Sequence, residues 1–386
     1  MKSKHIKIIR STTVPESLEA FCRGLLRELR EKDGYEVVAV SSPDWRLDEV
    51  AEREGVRAVA VPMERHISPL KDLKSLWRLI RVFRKERPTM VHSMTPKAGL
   101  LSMMAAWLTR VPVRVHTFTG LVFPTAKGLT QKILILTDRI TCACATHVIP
   151  EGEGVKNDLT NYRITKKPLR VLGHGNVRGI DLEHYNPELP EVKAEAAKIR
   201  KDGVFTFVFV GRLVGDKGIN ELIEAFERLH KEYPATRLLL VGPEESNLDP
   251  LKPETLAKIK ENPSIEAVGS QPDVRPWFVA ADVLVFPSYR EGFPNVVIEA
   301  GAMGLPSIVT DINGSREIII EGRNGIIIPA RDEDALYQAM KQMVDNLDQL
   351  KSMASEARPL IASRYEQSYV RRCLKEYYKE ILSDIK

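Results

Sequence analysis

Two stretches in the second half of this chain bring charged side chains and glycines together where an apolar strand gives way to a helix. The first is Val210-Gly211-Arg212-Leu213, followed by Asp216-Lys217-Gly218. Gly211 and Gly218 permit a tight turn and close approach of a ligand. Arg212 offers a planar fork to phosphate, and Lys217 a compact positive charge. The helix start that follows adds backbone donors and a favourable dipole. The chemistry this suits is the holding of a diphosphate; the plain alternative is an exposed basic turn.

The second stretch runs from Pro287 to Glu299, PSYREGFPNVVIE. Pro294 is tolerated at a helix start. Unpaired amides around Phe293–Val297 can donate to hydroxyls or phosphate oxygens. Glu299 then falls on the first turns of the helix. A carboxylate accepts two adjacent hydroxyls well, so Glu299 suits a ribose diol, and Glu291 in the preceding loop can face a hexose. The alternative is a capped helix carrying a solvated Glu.

Other candidates are weaker. Gly301 to Pro306 and the glycine turns at Gly314 and Gly325 read as close packing of helix on strand. Asp332-Glu-Asp334 has a DxD pattern, but it stands before a helix and reads as an N-cap. No cluster has metal-ligand spacing, so no metal is expected. No GxGxxG, Walker loop or GxSxG occurs. In the first half, Thr12, Thr13 and Ser17 precede or open a helix and can donate to a phosphate. His92 and His116 each lie in an apolar strand, where a packed core histidine is the competing reading. Lys97 opens the apolar segment Ala98–Leu108, which is too short to span a bilayer and reads as a buried or an interfacial helix.

These residues need elements to hold them. The first half alternates strand and helix: Ile6–Ile9, a helix over Ser17–Lys32, Glu36–Ser41, Ala58–Pro62, a helix over Lys71–Arg87, Met90–His92, a helix near Lys97–Arg110, Val113–Thr117, a helix near Lys127–Ala143 and His147–Pro150. The second half repeats the plan, with strands at Phe205–Val210, Thr236–Val241, Ile265–Gly269, Val283–Pro287, Ser307–Thr310 and Gly325–Ile328. Its helices are expected at Gly218–Tyr233, Asp273–Ala281, Val296–Met303 and Asp332–Asn346, with Leu350–Arg364 and Gln367–Ile385 at the end. This alternation predicts parallel sheets with helices on both faces. The charged stretch from Asn186 to Gly203 reads as the end of the first domain.

Composition bounds the rest. The chain has 386 residues, enough for two domains of about 150–200 each. With 43% hydrophobic and 28% charged residues it is ordinary globular material. A net charge of +5 is too small to argue for nucleic acid. It suits an anionic substrate or an anionic membrane surface. The four cysteines, Cys22, Cys142, Cys144 and Cys373, form no CxxC pair and read as reduced thiols of a cytoplasmic protein. No apolar window reaches the length of a membrane span, and the N-terminus lacks a signal-peptide core.

Together, Gly211-Arg212 to Lys217-Gly218, Glu291 to Glu299 as EGFPNVVIE, the GxP strand and the glycine turn before a Pro resemble family 4 of the retaining glycosyltransferases with the GT-B fold. These elements cover about 205–329 in order and spacing. The resemblance implies an α/β fold of two doubly wound Rossmann-like domains facing each other across a deep cleft. It sets an acceptor domain at 1–190, a donor domain at 200–364, and a last helix, 365–386, crossing back to the first domain. It implies that Gly211, Arg212 and Lys217 hold a donor diphosphate, that Gly292, Phe293, Pro294, Asn295 and Val296 surround the transferred sugar, and that Glu299 holds the ribose. A base pocket is implied near Gly242, Val268, Gly269 and Val274. Arg212, Lys217, Glu291 and His116 are the implied catalytic group, with His116 on the donor sugar.

Val91–Leu100 and Val115–Gly120 resemble a bacterial subgroup that extends lipid-linked glycans for capsule, O-antigen or glycoprotein. That implies a nucleotide-sugar cosubstrate, expected to be a UDP-sugar, with no other cofactor and no metal. It also implies an acceptor of the polyprenyl-diphosphate-linked saccharide type and peripheral contact with the inner membrane; Thr13 and Ser17 at their helix start, with His92 and Lys97, are the residues expected to hold that acceptor. The first loop, Arg10 to Leu18, has no glycine where the family has a glycine-rich loop. Two rivals keep their place: a UDP-sugar 2-epimerase of the same fold, and a non-catalytic nucleotide-sugar-binding subunit.

Overall fold

The structure, a computed structural model, describes residues 6–66, 68–245 and 249–383. The opening Met1–His5 segment lies outside the described residues. The chain divides into two compact units. One holds the chain up to Gly179 together with the stretch from Ser368 onward, and the other holds Ile180–Gln367.

Unit 1 runs β1 (Lys7–Ser11), α1 (Pro15–Cys22), α2 (Leu25–Glu31), β2 (Glu36–Ser41), α3 (Trp45–Glu54), β3 (Arg57–Ala60) and α4 (Pro69–Glu86). It continues with β4 (Met90–Met94), α5 (Pro96–Leu108), β5 (Val113–Phe118), α6 (Gly128–Cys144), β6 (His147–Pro150) and α7 (Glu153–Asn161). Its six strands are parallel in the order β3-β2-β1-β4-β5-β6. β4 is buried along its whole length, as a strand covered on both faces must be. Alternate residues of β1 feed two cores. Ile9 packs with α4 and α5, and Ile8 packs with α1, α2 and α3.

The single helix expected over Ser17–Lys32 is two helices. Gly24 sits in the left-handed region at φ 73°, which interrupts the helix. The start of α2 is then held by Glu54, which is fully buried and accepts from the N–H of Gly24 at 2.8 Å and of Arg27 at 3.1 Å. The helix α3 that carries Glu54 was absent from the sequence reading, because its polar composition hides a narrow stripe of Leu47 and Val50.

Unit 2 comprises α8 (Pro190–Ile199), β7 (Phe205–Val210), α9 (Ile219–Glu232), β8 (Thr236–Val241), α10 (Pro253–Glu261), β9 (Ile265–Gly269), α11 (Arg275–Val279) and β10 (Val283–Phe286). Then come α12 (Asn295–Ala302), β11 (Ser307–Thr310), α13 (Ser315–Ile318), β12 (Gly325–Ile328), α14 (Glu333–Asp345) and α15 (Leu347–Tyr365). Its parallel order is β12-β11-β10-β7-β8-β9, the same winding as in unit 1. The charged stretch from Asn186 to Gly203 is no bare linker: it contains α8, which buries Val192 and Ala196. The last helix, α16 (Gln367–Ser383), puts Tyr377, Tyr378, Ile381 and Leu382 into the core of unit 1.

In a sheet of this winding, ligands bind outside the carboxyl ends of the strands where the order reverses. In unit 2 that point lies between β7 and β10, and in unit 1 between β1 and β4.

Candidate active site

Both charged motifs fall at the switch point of unit 2. Gly211–Gly218 follows β7, and Pro287–Glu299 follows β10. A single 3-10 turn, Gly215–Lys217, carries the lysine between strand and helix. Gly218, at φ 72°, ends that turn, and a Cβ there would lie 2.2 Å from the carbonyl oxygen of Pro287. Only glycine lets the two loops meet. The Tyr289 N–H donates to the Asp216 carbonyl at 2.8 Å and joins them further.

The contact places Lys217 against Glu291. Their side chains form an ion pair, each with less than a fifth of its surface exposed. Ser288 donates to the same Glu291 oxygen at 2.8 Å, and the Lys217 ammonium lies 5.5 Å from the centre of the Phe286 ring. Arg212 is half exposed and pairs with Glu245 at 2.7 Å. The cation and the carboxylate thus neutralise each other at one point of the switch-point edge.

Beside them α12 begins at Asn295, with Pro294 as its cap residue and no side-chain cap. A helix start of this kind favours an anion through its dipole. Phe293 is buried edge-on to Tyr365, ring centres 5.6 Å apart, which fixes the turn before the helix. Gly292, Asn295, Val296 and Glu299 are half-buried on this loop and helix. The tips of β7, β8 and β9 are tied by Gly211 N–H to Val241 O and Gly242 N–H to Gly269 O, both at 2.9 Å. Val268 and Val274 pack beside them, partly buried. All the donor-side candidates of the sequence therefore lie on one edge of one unit.

The unit 1 candidates scatter into different environments. Thr13 shares a hydrogen bond with Thr95 at 2.8 Å and accepts from the N–H of Ala98 at 3.1 Å, so its hydroxyl serves the start of α5. Ser17 is half-buried in α1. Lys97 is paired with Asp72 at 2.5 Å and little exposed. His92 is buried, bonded to Arg10, Tyr378 and Thr117, and burial holds its imidazole well below the usual range. His116 is also buried, shares a hydrogen bond with Ser93 at 2.9 Å, and packs edge-on to Phe118 at 4.5 Å. Burial pushes its imidazole down to about 3, so it is neutral at any working pH. Ala98–Leu108 is a largely buried helix, with only its last residues, Trp107 and Leu108, exposed.

Two residues escaped the sequence reading. Arg10 is buried and bonded to His92, Tyr378, Cys22 and Met94, with no carboxylate among these partners. Asp138, on α6, is mostly buried, and burial pushes its carboxyl up to about 7. A lone acid within the apolar run ILILTDRITCAC was the available signal. Asp332 accepts from the N–H of Ala335 at 2.9 Å as the N-cap of α14, which leaves the DxD pattern a cap. Among the described residues no group of His, Cys, Asp and Glu is arranged to hold a metal.

Known proteins match this arrangement along the whole chain. The family described as glycosyl transferases group 1 matches residues 204–346, and the glycosyl transferase 4-like domain matches 18–175. The capsular polysaccharide biosynthesis glycosyltransferase CapM of Staphylococcus aureus is 30% identical over 382 residues, 99% of each chain. An Escherichia coli UDP-Gal:alpha-D-GlcNAc-diphosphoundecaprenol alpha-1,3-galactosyltransferase is 29% identical over 90% of each. The structure of HepE from Anabaena in complex with UDP superimposes with a TM-score of 0.80 at 16% identity, covering 97% of this chain and all of that one, which speaks for the fold alone. With two parallel six-stranded units and relatives of this kind along its full length, the chain belongs to the glycosyltransferases of the GT-B fold.

Proposed function

We propose that the protein transfers a sugar, with retention of configuration, from a UDP-sugar to a polyprenyl-diphosphate-linked saccharide in the assembly of a surface polysaccharide. The observation that carries this is the Lys217–Glu291 pair beside the uncapped start of α12. Lys217, Arg212 and the α12 amides would take the diphosphate, Glu291 the transferred sugar and Glu299 the ribose. In this reading the acceptor hydroxyl attacks on the face the diphosphate leaves, and the leaving phosphate helps to take its proton. The cations and amides stabilise the charge growing on that phosphate, which is preorganised electrostatics. His116, being neutral, would serve the donor sugar as a hydrogen-bonding group rather than as an acid. No metal is needed, so turnover should persist in a chelator.

The acceptor class draws support from the two relatives, one a capsular polysaccharide enzyme and one acting on a diphosphoundecaprenol-linked sugar. It draws further support from the surface of unit 1. Leu70, Leu73 and Trp77 of α4 are all more than half exposed and share one helical face. Leu129, Ile133 and Leu136 are likewise exposed along one face of α6, at 73%, 38% and 56%. Both helices flank α5. Lys71, Lys74, Arg78 and Arg81 border the α4 stripe, Arg81 stacking 3.6 Å over Trp77. Apolar stripes edged by cations suit the interface of an anionic bilayer.

The test is UDP release from UDP-galactose and UDP-N-acetylglucosamine, with and without a polyprenyl-diphosphate-linked N-acetylglucosamine. Release that depends on the acceptor supports transfer. Conversion of the UDP-sugar into its epimer without any acceptor would instead establish the isomerase, and binding without turnover a non-catalytic subunit.

A further inference from the structure

Arg10 has no part in the reading above, and its surroundings leave its charge without a counter-charge. The side chain is 2% exposed, and a guanidinium stays protonated wherever it is placed. Burying such a charge is costly unless an opposite charge or a full set of hydrogen bonds compensates it. Its two terminal nitrogens donate to His92 Nδ1, the Tyr378 hydroxyl, Cys22 Sγ and Met94 Sδ. None of the four is a carboxylate, and two are sulfurs, which accept weakly. The remaining donor, Nε–H, is buried with no partner among the described residues.

Arg10 lines a cavity of about 390 Å³, counted with its open mouth, which lies wholly in unit 1. The helix α16 borders this space. Val370 and Leu374 line it, and Tyr378, four residues further along the same helix face, accepts from Arg10.

A second unspent donor lies in the same lining. Arg10 has no lone pair to offer, so His92 Nδ1 accepts from it. Burial keeps the His92 ring neutral, so its one proton sits on Nε2, which donates to Thr117 Oγ1 at 2.7 Å. The Thr117 oxygen is thereby used as an acceptor, and its own O–H has no other partner among the described residues. Thr117, like Arg10, lines the cavity. A positive charge with two donors to spare on one space calls for an anion. Glu151 is the one acid of the lining; it has partners of its own and does not bond the guanidinium. Its charge opposes a polyanion such as a diphosphate, so the ligand that fits is small and singly charged.

We propose that this cavity binds a small monovalent anion, of the halide or formate kind, held by Arg10 Nε and the Thr117 hydroxyl, and that the anion fastens α16 to the sheet of unit 1. The inference stands apart from the transfer reaction proposed above and is tested without it. The first measurement is the thermal midpoint of the full chain at constant ionic strength, with sodium gluconate exchanged for chloride, bromide or formate. The wild-type midpoint should rise by about 2–4 °C as about 0.2 M chloride replaces gluconate. Arg10→Met, which keeps the volume and removes the charge, should show no difference between the salts, and Thr117→Val a smaller one than wild type. Each variant is its own reference between salts, so a change in its baseline stability does not disturb the comparison. The second measurement, on wild type alone, covers the case in which Arg10→Met does not fold. Crystals grown in bromide should show an anomalous scattering peak within hydrogen-bond distance of Arg10 Nε. A cavity without bromide overturns the proposal, and so does a chloride response that survives in Arg10→Met.

Discussion

Lys217 and Glu291 are each the other's nearest counter-charge, so removing either leaves a half-buried charge unpaired as well as an empty contact. Arg212→Ala or Lys217→Ala should lower kcat/KM by about 100-fold or more while the far-ultraviolet circular dichroism stays unchanged. Full activity in either variant would remove the diphosphate assignment. His116 is neutral well below pH 5, so it contributes no ionisation to the rate profile. A His116→Gln variant should lose rate, yet the apparent pKa values of its pH–rate curve between 5 and 8 should match those of the wild type. A shifted limb would show that His116 titrates. Asp138 binds its proton more tightly in the folded chain than in the unfolded one. Its penalty is therefore absent below pH 4, grows as pH rises, and is complete above about 7. Asp138→Asn should accordingly be more stable than wild type at pH 8, by on the order of 1–3 kcal/mol, and equal to it near pH 4. Thermal melts at the two pH values would measure this.

At the scale of elements, short polar contacts decide where helices begin. Glu54, at the end of α3, closes the start of α2 through two backbone N–H groups and pairs with Arg53 at 3.1 Å. Glu54→Ala would orphan those donors in the interior. It should cost about 2–4 kcal/mol of unfolding free energy, read from urea denaturation. A loss below half a kcal/mol would mean that water replaces the carboxylate. The same logic places Thr13, which reaches across from the loop after β1 to serve the start of α5. A sequence reading sees a hydroxyl near a helix and assigns it to a ligand. The structure spends it on another helix.

At the scale of the whole molecule, the two units share one winding and differ in what they expose. The donor-side candidates lie in unit 2, and the exposed apolar stripes of α4 and α6 lie in unit 1. If those stripes meet a bilayer, a Trp77→Asp, Leu129→Glu double variant should lose most co-sedimentation with vesicles containing phosphatidylglycerol. Its UDP release with a detergent-soluble short-chain acceptor should change little. Equal sedimentation of variant and wild type would take the membrane from these helices.

The sequence by itself determined the alternation of strand and helix, the repeat of one plan in two halves, and the donor-side motifs. Those features are local. A strand buried on both faces must be a continuous apolar run, as Phe205–Val210 is, and a glycine-flanked turn with Arg212 and Lys217 must follow within a few residues. Only the tertiary structure decided that Lys217 meets Glu291, 74 positions away, because that meeting depends on β7 and β10 pairing across the sheet. Only it separated His92, spent on Arg10 and Tyr378, from His116, left beside a cavity. Both histidines sit in apolar strands and look alike along the chain. Asp138 shows the same limit most sharply, since a carboxyl in an apolar helix has meaning only once the wall opposite is known. The candidate donor site is written in neighbours along the chain. The environments of His92, His116 and Asp138 are set by neighbours through space, which burial and pairing require.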